Sequence, residues 1–305
     1  MNTSRIVRIG TRESALALFQ ALAVQQKLNS LGVESEIIEI TSDGDVDLVT
    51  PLYEMGIQGI FTKSLDAALL QNRIDIAVHS TKDIPTKLAN GLLLSAVLER
   101  ASPYDCLVLR ADRGPAQLHL DCRIGTSSLR RKMQWLSRYP HHSIENLRGN
   151  IQTRLEKLNR SNWQGAIFAE AAMERLGISS HPFVRLDWML PSPAQGAIGI
   201  VCRQDDHRMA EICSAINHAE TNICISAERS FLSALHGGCA VPIAAYAMVK
   251  NGTLFFKGNI FSLNAKEKCE VELTFNLDQA PSAGDLAAHE ILRQGGDIII
   301  KTFRP

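Results

Sequence analysis

The segment CRIGTSSLRRKMQWLSR, Cys122–Arg138, decides the fold. A short strand pattern ends at Gly125, Thr-Ser-Ser follows, and LRRKMQWLSR continues as a helix. The same junction recurs on both sides of it. RIVRIG (5–10) reads as a strand and leads to a helix over 14–32 that is closed by glycine. VESEIIEIT (33–41) returns as a strand, TKSLDAALLQ (62–71) is helical and DIAVHS (75–80) is again a strand. Downstream, HSIENL runs into NIQTRLEKL and GAIFAEA into MERLG. Strand and helix alternating in this way predict α/β domains built on parallel sheets with crossover helices.

FVRLDWMLPSPAQG (183–196), with two prolines, interrupts that rhythm. AIGIVCR (197–203) is a strand that should cross back into the first sheet, and 206–235 reads as helical. Beyond Cys239 the pattern changes to a hairpin around Asn251-Gly252, a further strand over 268–275, and a helix over 282–296 with Ser282 as its cap. Roughly the last 85 residues therefore read as a small α+β domain.

A chain of 305 residues can hold two or three domains. Hydrophobic content of 45% and charged content of 21% are those of a soluble globular protein. With 32 basic and 32 acidic residues the net charge is zero, so no global pull toward nucleic acid or an anionic membrane is expected. The apolar run Ala15–Val24 is too short to span a bilayer, and the first residues lack a signal-peptide layout. The seven cysteines, at 106, 122, 202, 213, 224, 239 and 269, form no C-x-x-C pair. Reduced thiols in a cytoplasm are the expectation, and no metal site is expected from the histidine spacing.

Five stretches can carry chemistry. GTSSLRR (125–131) places backbone N–H groups and hydroxyls at a helix start, a natural anion site. Arg130 and Arg131 stand there at the end of the helix that disfavours cations, a cost that an anionic ligand would offset; the plain alternative is a capped helix with solvated arginines. LRGNIQTRL (147–155) repeats the arrangement with Arg148, Gly149 and Arg154. Four arginines at two such junctions suit a polycarboxylate, because guanidinium binds carboxylate through two parallel hydrogen bonds. GTRES (10–14) puts Arg12 and Ser14 at the end of the first strand, the edge where open α/β sheets bind ligands, with a simple cap at Ser14 as the alternative. HSTKDIP (79–85) puts Lys82 and Asp83 beyond another strand; Asp83 either shapes a turn or faces a ligand that carries N–H donors or developing positive charge, and His79 reads as a hydrogen-bonded packing residue. In HGGCAVP (236–242), Gly237 and Gly238 allow a bulky group close to Cys239. Cys106, Cys202, Cys213, Cys224 and Cys269 read as small buried hydrophobes.

Taken in order, TRES-ALALFQA, DIAVHSTKDIP, GTSSLRR, LRGNIQTRL, PAQGAIGI and GGCAVPIAAYA resemble the motifs of the porphobilinogen deaminase (hydroxymethylbilane synthase) family, from about Arg5 to the last helix. The resemblance implies two α/β domains like the halves of a periplasmic binding protein, with the active site in their cleft, and a small C-terminal α+β domain. The boundaries that follow are 1–98 with 197–214, 103–191, and 219–305. It implies a dipyrromethane cofactor in thioether linkage to Cys239. It also implies a reaction that joins four porphobilinogens head to tail, releases ammonia each time and frees hydroxymethylbilane by hydrolysis, in tetrapyrrole (haem) synthesis.

Carried over residue by residue, Asp83 is the catalytic carboxylate. Cys239, Ser80, Lys82, Asp83, Thr126, Ser128, Arg130, Arg131, Arg148, Gly149 and Arg154 hold the cofactor. Arg12, Ser14, Gln20, Arg148, Arg154, Arg175 and Gln195 bind substrate. A cytoplasmic monomer without nucleic-acid or membrane partners is expected. The chain departs from the family's usual pattern at Glu54 and Gln58, where lysines are common, at His236, where acidic residues are usual, and at Ala172, where glycine is common. The rival readings are a non-catalytic two-lobed binder of small polycarboxylates and a thiol hydrolase with Cys239 as nucleophile and His236 as its base.

Overall fold

The computed structural model describes residues 6–41, 62–110, 121–236 and 241–303. Glu54, Gln58, Gly237, Gly238 and Cys239 lie outside these residues. The rest falls into two compact units, one from residues of 1–47, 59–101 and 196–222, the other from 102–195 and 223–305.

The first unit is built on a five-stranded sheet in the order β2 (Ser35–Glu39), β1 (Val7–Thr11), β3 (Ile76–Ser80), β10 (Ile198–Arg203), β4 (Leu92–Val97). β1 pairs in parallel with β2 and β3, whereas β10 lies antiparallel between β3 and β4. Helix α1 (Ala15–Ser30) covers one face, burying Ala21, Val24 and Leu28 on Ile76, Val78 and Ile200. Helix α2 (Lys63–Leu70) covers the other, with Leu65 and Leu69 against Ile74, Ala77 and Val201. Every residue of β3 up to His79 is buried, as a strand covered on both faces requires.

In the second unit, a sheet of the same size runs β7 (Ser143–Glu145), β6 (Arg123–Gly125), β8 (Gly165–Ala169), β5 (Asp105–Leu109), β9 (Phe183–Leu186). β6 is parallel to β7 and β8, and β5 is antiparallel to β8 and β9. Helices α3 (Leu129–Arg138), α4 (Ile151–Arg160) and α5 (Glu170–Arg175) follow β6, β7 and β8 in turn. The same unit holds a third sheet, the antiparallel β11 (Ile243–Lys250), β12 (Thr253–Phe261) and β13 (Lys268–Asn276). Helices α7 (Ala219–Ala234) and α8 (Ala280–Ile291) pack on it, with Phe231 on Phe256 at a centroid distance of 5.2 Å.

Four sequence expectations change. The sheets are mixed, because β5 and β10 each enter a parallel set against its direction. The proline-containing stretch after 182 begins with a true strand, β9. The helical run 206–235 is two helices, α6 (His207–Ala215) and α7, broken at residues 216–218. The last helix begins earlier than Ser282, at a capping box of Asn276 and Gln279, and Ser282 Oγ donates to Gln279 O at 3.0 Å inside it. The Asn251-Gly252 turn stands as read, with φ of 51° and 71°. No helix among the described residues is long and apolar enough to cross a membrane.

Candidate active site

In the first unit two parallel strands end side by side and the polar motifs start there. Beyond β1, Ser14 caps α1, its Oγ accepting from Ala17 N at 3.3 Å. β3 ends at Ser80 and turns at once through a single 3₁₀ turn, Thr81–Asp83. The turn is clamped to β10: Thr81 N donates to Ala197 O at 3.0 Å. Gly199 permits this approach, since a Cβ there would stand 2.9 Å from Thr81 Oγ1 and 2.8 Å from Ile84 Cδ1. Gln20, 1% exposed on α1, donates from Nε2 to Ser80 Oγ at 2.8 Å and so ties the helix to the strand end.

Arg12, Ser14, Gln20, His79, Ser80 and Asp83 line one small cleft. Lys82, next to Asp83 in the turn, is not among its lining residues. Burial pushes the His79 imidazole down to about 4, helped by the nearby Arg12 charge, so the ring is neutral near pH 7. His79 is buried as expected, but its Nε2 has no hydrogen-bond partner among the described residues. The cleft thus offers one cation, hydroxyl and amide groups, a neutral imidazole and one carboxylate.

The second unit gathers the remaining arginines at the starts of α3 and α4. Ser128 caps α3, accepting from Arg131 N at 3.4 Å, and the buried Thr126 accepts from Ser128 N at 3.3 Å. Arg130 and Arg131 are each 6% exposed rather than solvated. Both meet Asp105, which the sequence reading missed. Arg130 Nη1 donates to Asp105 Oδ2 at 2.7 Å and to Leu190 O at 2.8 Å. Arg131 donates to Asp105 Oδ1 from Nε (3.1 Å) and Nη2 (2.7 Å), and from Nη1 to Ile167 O at 2.7 Å. Burial alone would raise the Asp105 carboxyl, but the two guanidiniums outweigh it and hold it well below the usual carboxylate range. Burial lowers Arg130 in turn, opposed by Asp105.

Gln195, expected to contact substrate, is fully buried, with Nε2 donating to Pro103 O at 2.8 Å and to Asp105 Oδ1 at 2.9 Å. At the start of α4, Gly149 takes φ +110°, a conformation open to glycine, and a Cβ there would lie 2.8 Å from Thr153 Cγ2. Arg154 Nε donates to Gly149 O at 2.7 Å, Lys157 Nζ donates to Arg148 O at 3.0 Å, and Arg148 itself is 4% exposed. Arg175, at the end of α5, is lowered by burial.

These donors fit a carboxylate-bearing cofactor. Arg130 spends only Nη1 on protein, and its Nε and Nη2 hydrogens, the paired edge that grips a carboxylate, have no hydrogen-bond partner among the described residues. Asp105 cancels one of the two buried charges and leaves that edge cationic. Asp105 carried one sequence signal, an acid directly ahead of the apolar run CLVL, where a buried acid requires partners.

A family model described as porphobilinogen deaminase, dipyromethane cofactor binding domain, matches residues 7–211, and one described as porphobilinogen deaminase, C-terminal domain, matches residues 222–293. The chain belongs to the porphobilinogen deaminase family. The porphobilinogen deaminase of Syntrophotalea carbinolica is 40% identical over 302 residues, covering 98% of this chain and 96% of that protein. The chloroplastic porphobilinogen deaminase of Oryza sativa subsp. japonica is 40% identical, covering 95% of this chain and 84% of that one. Among solved structures, the Bordetella pertussis BvgS periplasmic VFT2 domain aligns with a TM-score of 0.44 at 12% identity, over 74% of this chain and 93% of that one. Porphobilinogen deaminase membership places a dipyrromethane-binding domain over the two five-stranded sheets, since the first match runs from β1 through most of α6.

Proposed function

We propose that the chain catalyses the stepwise head-to-tail condensation of four porphobilinogens on a dipyrromethane linked to Cys239, releasing ammonia at each step and then hydroxymethylbilane by hydrolysis. The observation that carries the reading is the position of Asp83, a carboxylate on a clamped turn in a cleft whose other polar groups are a cation, hydroxyls and neutral donors. When bound, the dipyrromethane supplies the free α-carbon that starts the chain. Each porphobilinogen would lose its amine as ammonia in exchange for a bond from its methylene carbon to the free α-carbon of the last ring of the growing chain, which would give up its α-proton.

Positive charge spreads over pyrrole N–H groups during the exchange. Asp83 accepts those N–H groups, stabilises the charge and helps move the proton. Every ring carries an acetate and a propionate. Arg12 and Ser14, with Gln20 and Ser80 fixing the cleft wall, take carboxylates in the first unit. Thr126, Ser128, Arg130, Arg148 and Arg154 take them in the second, with Gly149 shaping the turn, Arg131 braced on Asp105, and Arg175 and Lys82 as further cations. Cys239 is a tether that is alkylated once rather than a nucleophile at every turnover.

The division into 1–98 with 197–214, 103–191 and 219–305 belongs to the same proposal and is supported by the three separate sheets. So do a monomeric state and residence in the cytoplasm; the rice relative is named chloroplastic, so the family occupies more than one compartment.

An intact mass spectrum of the protein purified from cells tests the reading. It should show two pyrrole units added to the polypeptide, absent from Cys239→Ala. A bare wild-type polypeptide, isolated from cells that supply porphobilinogen, leaves only a carboxylate binder or a thiol hydrolase.

A further inference from the structure

Residues 190–195 form a strap laid across the buried arginine pair. At one end Leu190 O accepts from Arg130 Nη1 (2.8 Å) and Gln134 Nε2 (2.9 Å), and Leu190 N donates to Gln134 Oε1 at 2.8 Å. At the other end Ala194 N donates to the fully buried Glu228 carboxylate at 2.6 Å, and the second oxygen of Glu228 accepts from Ala247 N at 2.7 Å. Pro191 O accepts from Ala245 N at 3.2 Å. The strap is thus stitched to α7 and β11, and α7 is the helix that precedes Cys239 in the sequence. Ala194 holds φ +63°, a left-handed conformation unfavourable for a residue with a side chain, and it sets the direction of Gln195.

We propose that Gln195 is a positioning residue: through Asp105 it fixes the Arg130 guanidinium with its Nε and Nη2 hydrogens open to a pyrrole carboxylate. The inference rests on the reading above, in which Arg130 binds cofactor. A carboxylate rotates easily about its last torsion. Asp105 Oδ1 takes three donors, two from Arg131 and one from Gln195, so the plane of the group is set and Oδ2 is left for Arg130. Gln195 also donates to Pro103 O, which ties the Asp105 strand start to the strap. Arg131 has its Nε–Nη2 edge committed to Asp105, so the two adjacent arginines divide the work, one bracing and one presenting an open edge.

Gln195→Met, in the full chain, keeps the length of the side chain and removes both donors. The expected result is a folded protein with reduced dipyrromethane mass and about a 10- to 100-fold fall in kcat/KM for porphobilinogen. A full adduct with kcat/KM within about twofold of wild type overturns the proposal. Nitrogen-15 exchange at the arginine Nε–H groups gives a readout independent of turnover and of whether Gln195→Met folds. In cofactor-free Cys239→Ser, Arg131 Nε–H should exchange slowly and Arg130 Nε–H fast. In the loaded wild type both should be slow; equal exchange of Arg130 in the two forms overturns the proposal. Arg130→Leu separates the two levels. If Arg130→Leu assembles cofactor and turns over normally, the parent reading falls and this one with it. If Arg130→Leu is defective while Gln195→Met is normal, this proposal alone falls.

Discussion

Asp105→Asn keeps the shape of the side chain and removes its charge. Asp105 has no exposed surface, and the side chains of its partners Arg130 and Arg131 are 7% and 8% exposed. Its two oxygens accept four hydrogen bonds, three of them from guanidinium groups. The variant leaves two buried cations without a counter-ion and turns one acceptor oxygen into an N–H₂ that faces a donor. Removing one partner of a buried pair costs about 3–5 kcal/mol, a large share of the ~5–15 kcal/mol that holds a domain. At about 2–4 °C per kcal/mol, the midpoint of thermal unfolding should fall by about 6–20 °C.

Urea titration followed by circular dichroism measures the loss directly, and the intact mass shows whether the surviving folded protein still assembles dipyrromethane. The pH dependence adds a sign. The Asp105 carboxyl is held below its ordinary value, so its stabilisation is complete above the unfolded carboxylate range and disappears only as pH falls through the lower native value. The gap between wild type and variant should therefore be as large at pH 5 as at pH 7. A loss of less than about 1 kcal/mol, the worth of an exposed pair, would refute the claim that this carboxylate is the counter-ion of the buried arginine pair.

Asp83→Asn should leave the fold and the unfolding midpoint unchanged and lower turnover by about 10²–10⁴-fold, the usual worth of a positioned proton-transfer group; a near-normal steady-state rate excludes the assigned role. For His79, the native imidazole lies near 4 against an ordinary 6.5, so the native state takes up fewer protons than the unfolded chain between those values. Burial of the neutral ring costs no proton above pH 6.5, and stability drains by about 3 kcal/mol as pH falls toward 4. His79→Gln should flatten that slope in urea titrations at pH 7 and pH 4.5, and an unchanged slope contradicts the assignment. Gly149→Ala meets both the φ of +110° and the crowding by Thr153, and should cost about 1–3 kcal/mol; equal stability would show that the junction relaxes freely.

The alternating elements were legible because each strand and helix carries its own period. β1, β3 and β8 form within RIVRIG, DIAVHS and GAIFAEA, although Glu170 and Ala171 of the last open α5 instead, and Asn251-Gly252 makes the hairpin turn. Strand direction was not legible. Nothing local in β10 records that its neighbours lie some hundred positions earlier, so the parallel reading failed at that strand and at β5. The site shows the same division. Arg12, Ser14, Ser80 and Asp83 stand at or just beyond the ends of strands that adjoin in the sheet, and Gln20 reaches Ser80 from α1, so motif reading found the polar groups of one cleft. The bracing of the arginines was hidden because Asp105, which meets them, Gln195, which meets Asp105, and Glu228, which holds the strap, come from separate segments that meet only in the fold. An isolated acid before an apolar strand is a signal of burial without a record of its counter-ion.

The insertion of β10 also bears on how the chain is made. Among the described residues β4 has β10 as its sole sheet neighbour, and β10 begins 101 residues after β4 ends (198 minus 97). At about 5–20 residues per second, a nascent chain waits roughly 5–20 s with the inner edge of β3 bare and β4 unpaired. Bare edges of this kind recruit other strands. Slow translation through the second sheet should therefore raise the demand for chaperones, and a truncated message ending near residue 110 should yield an aggregating fragment rather than a free-standing lobe.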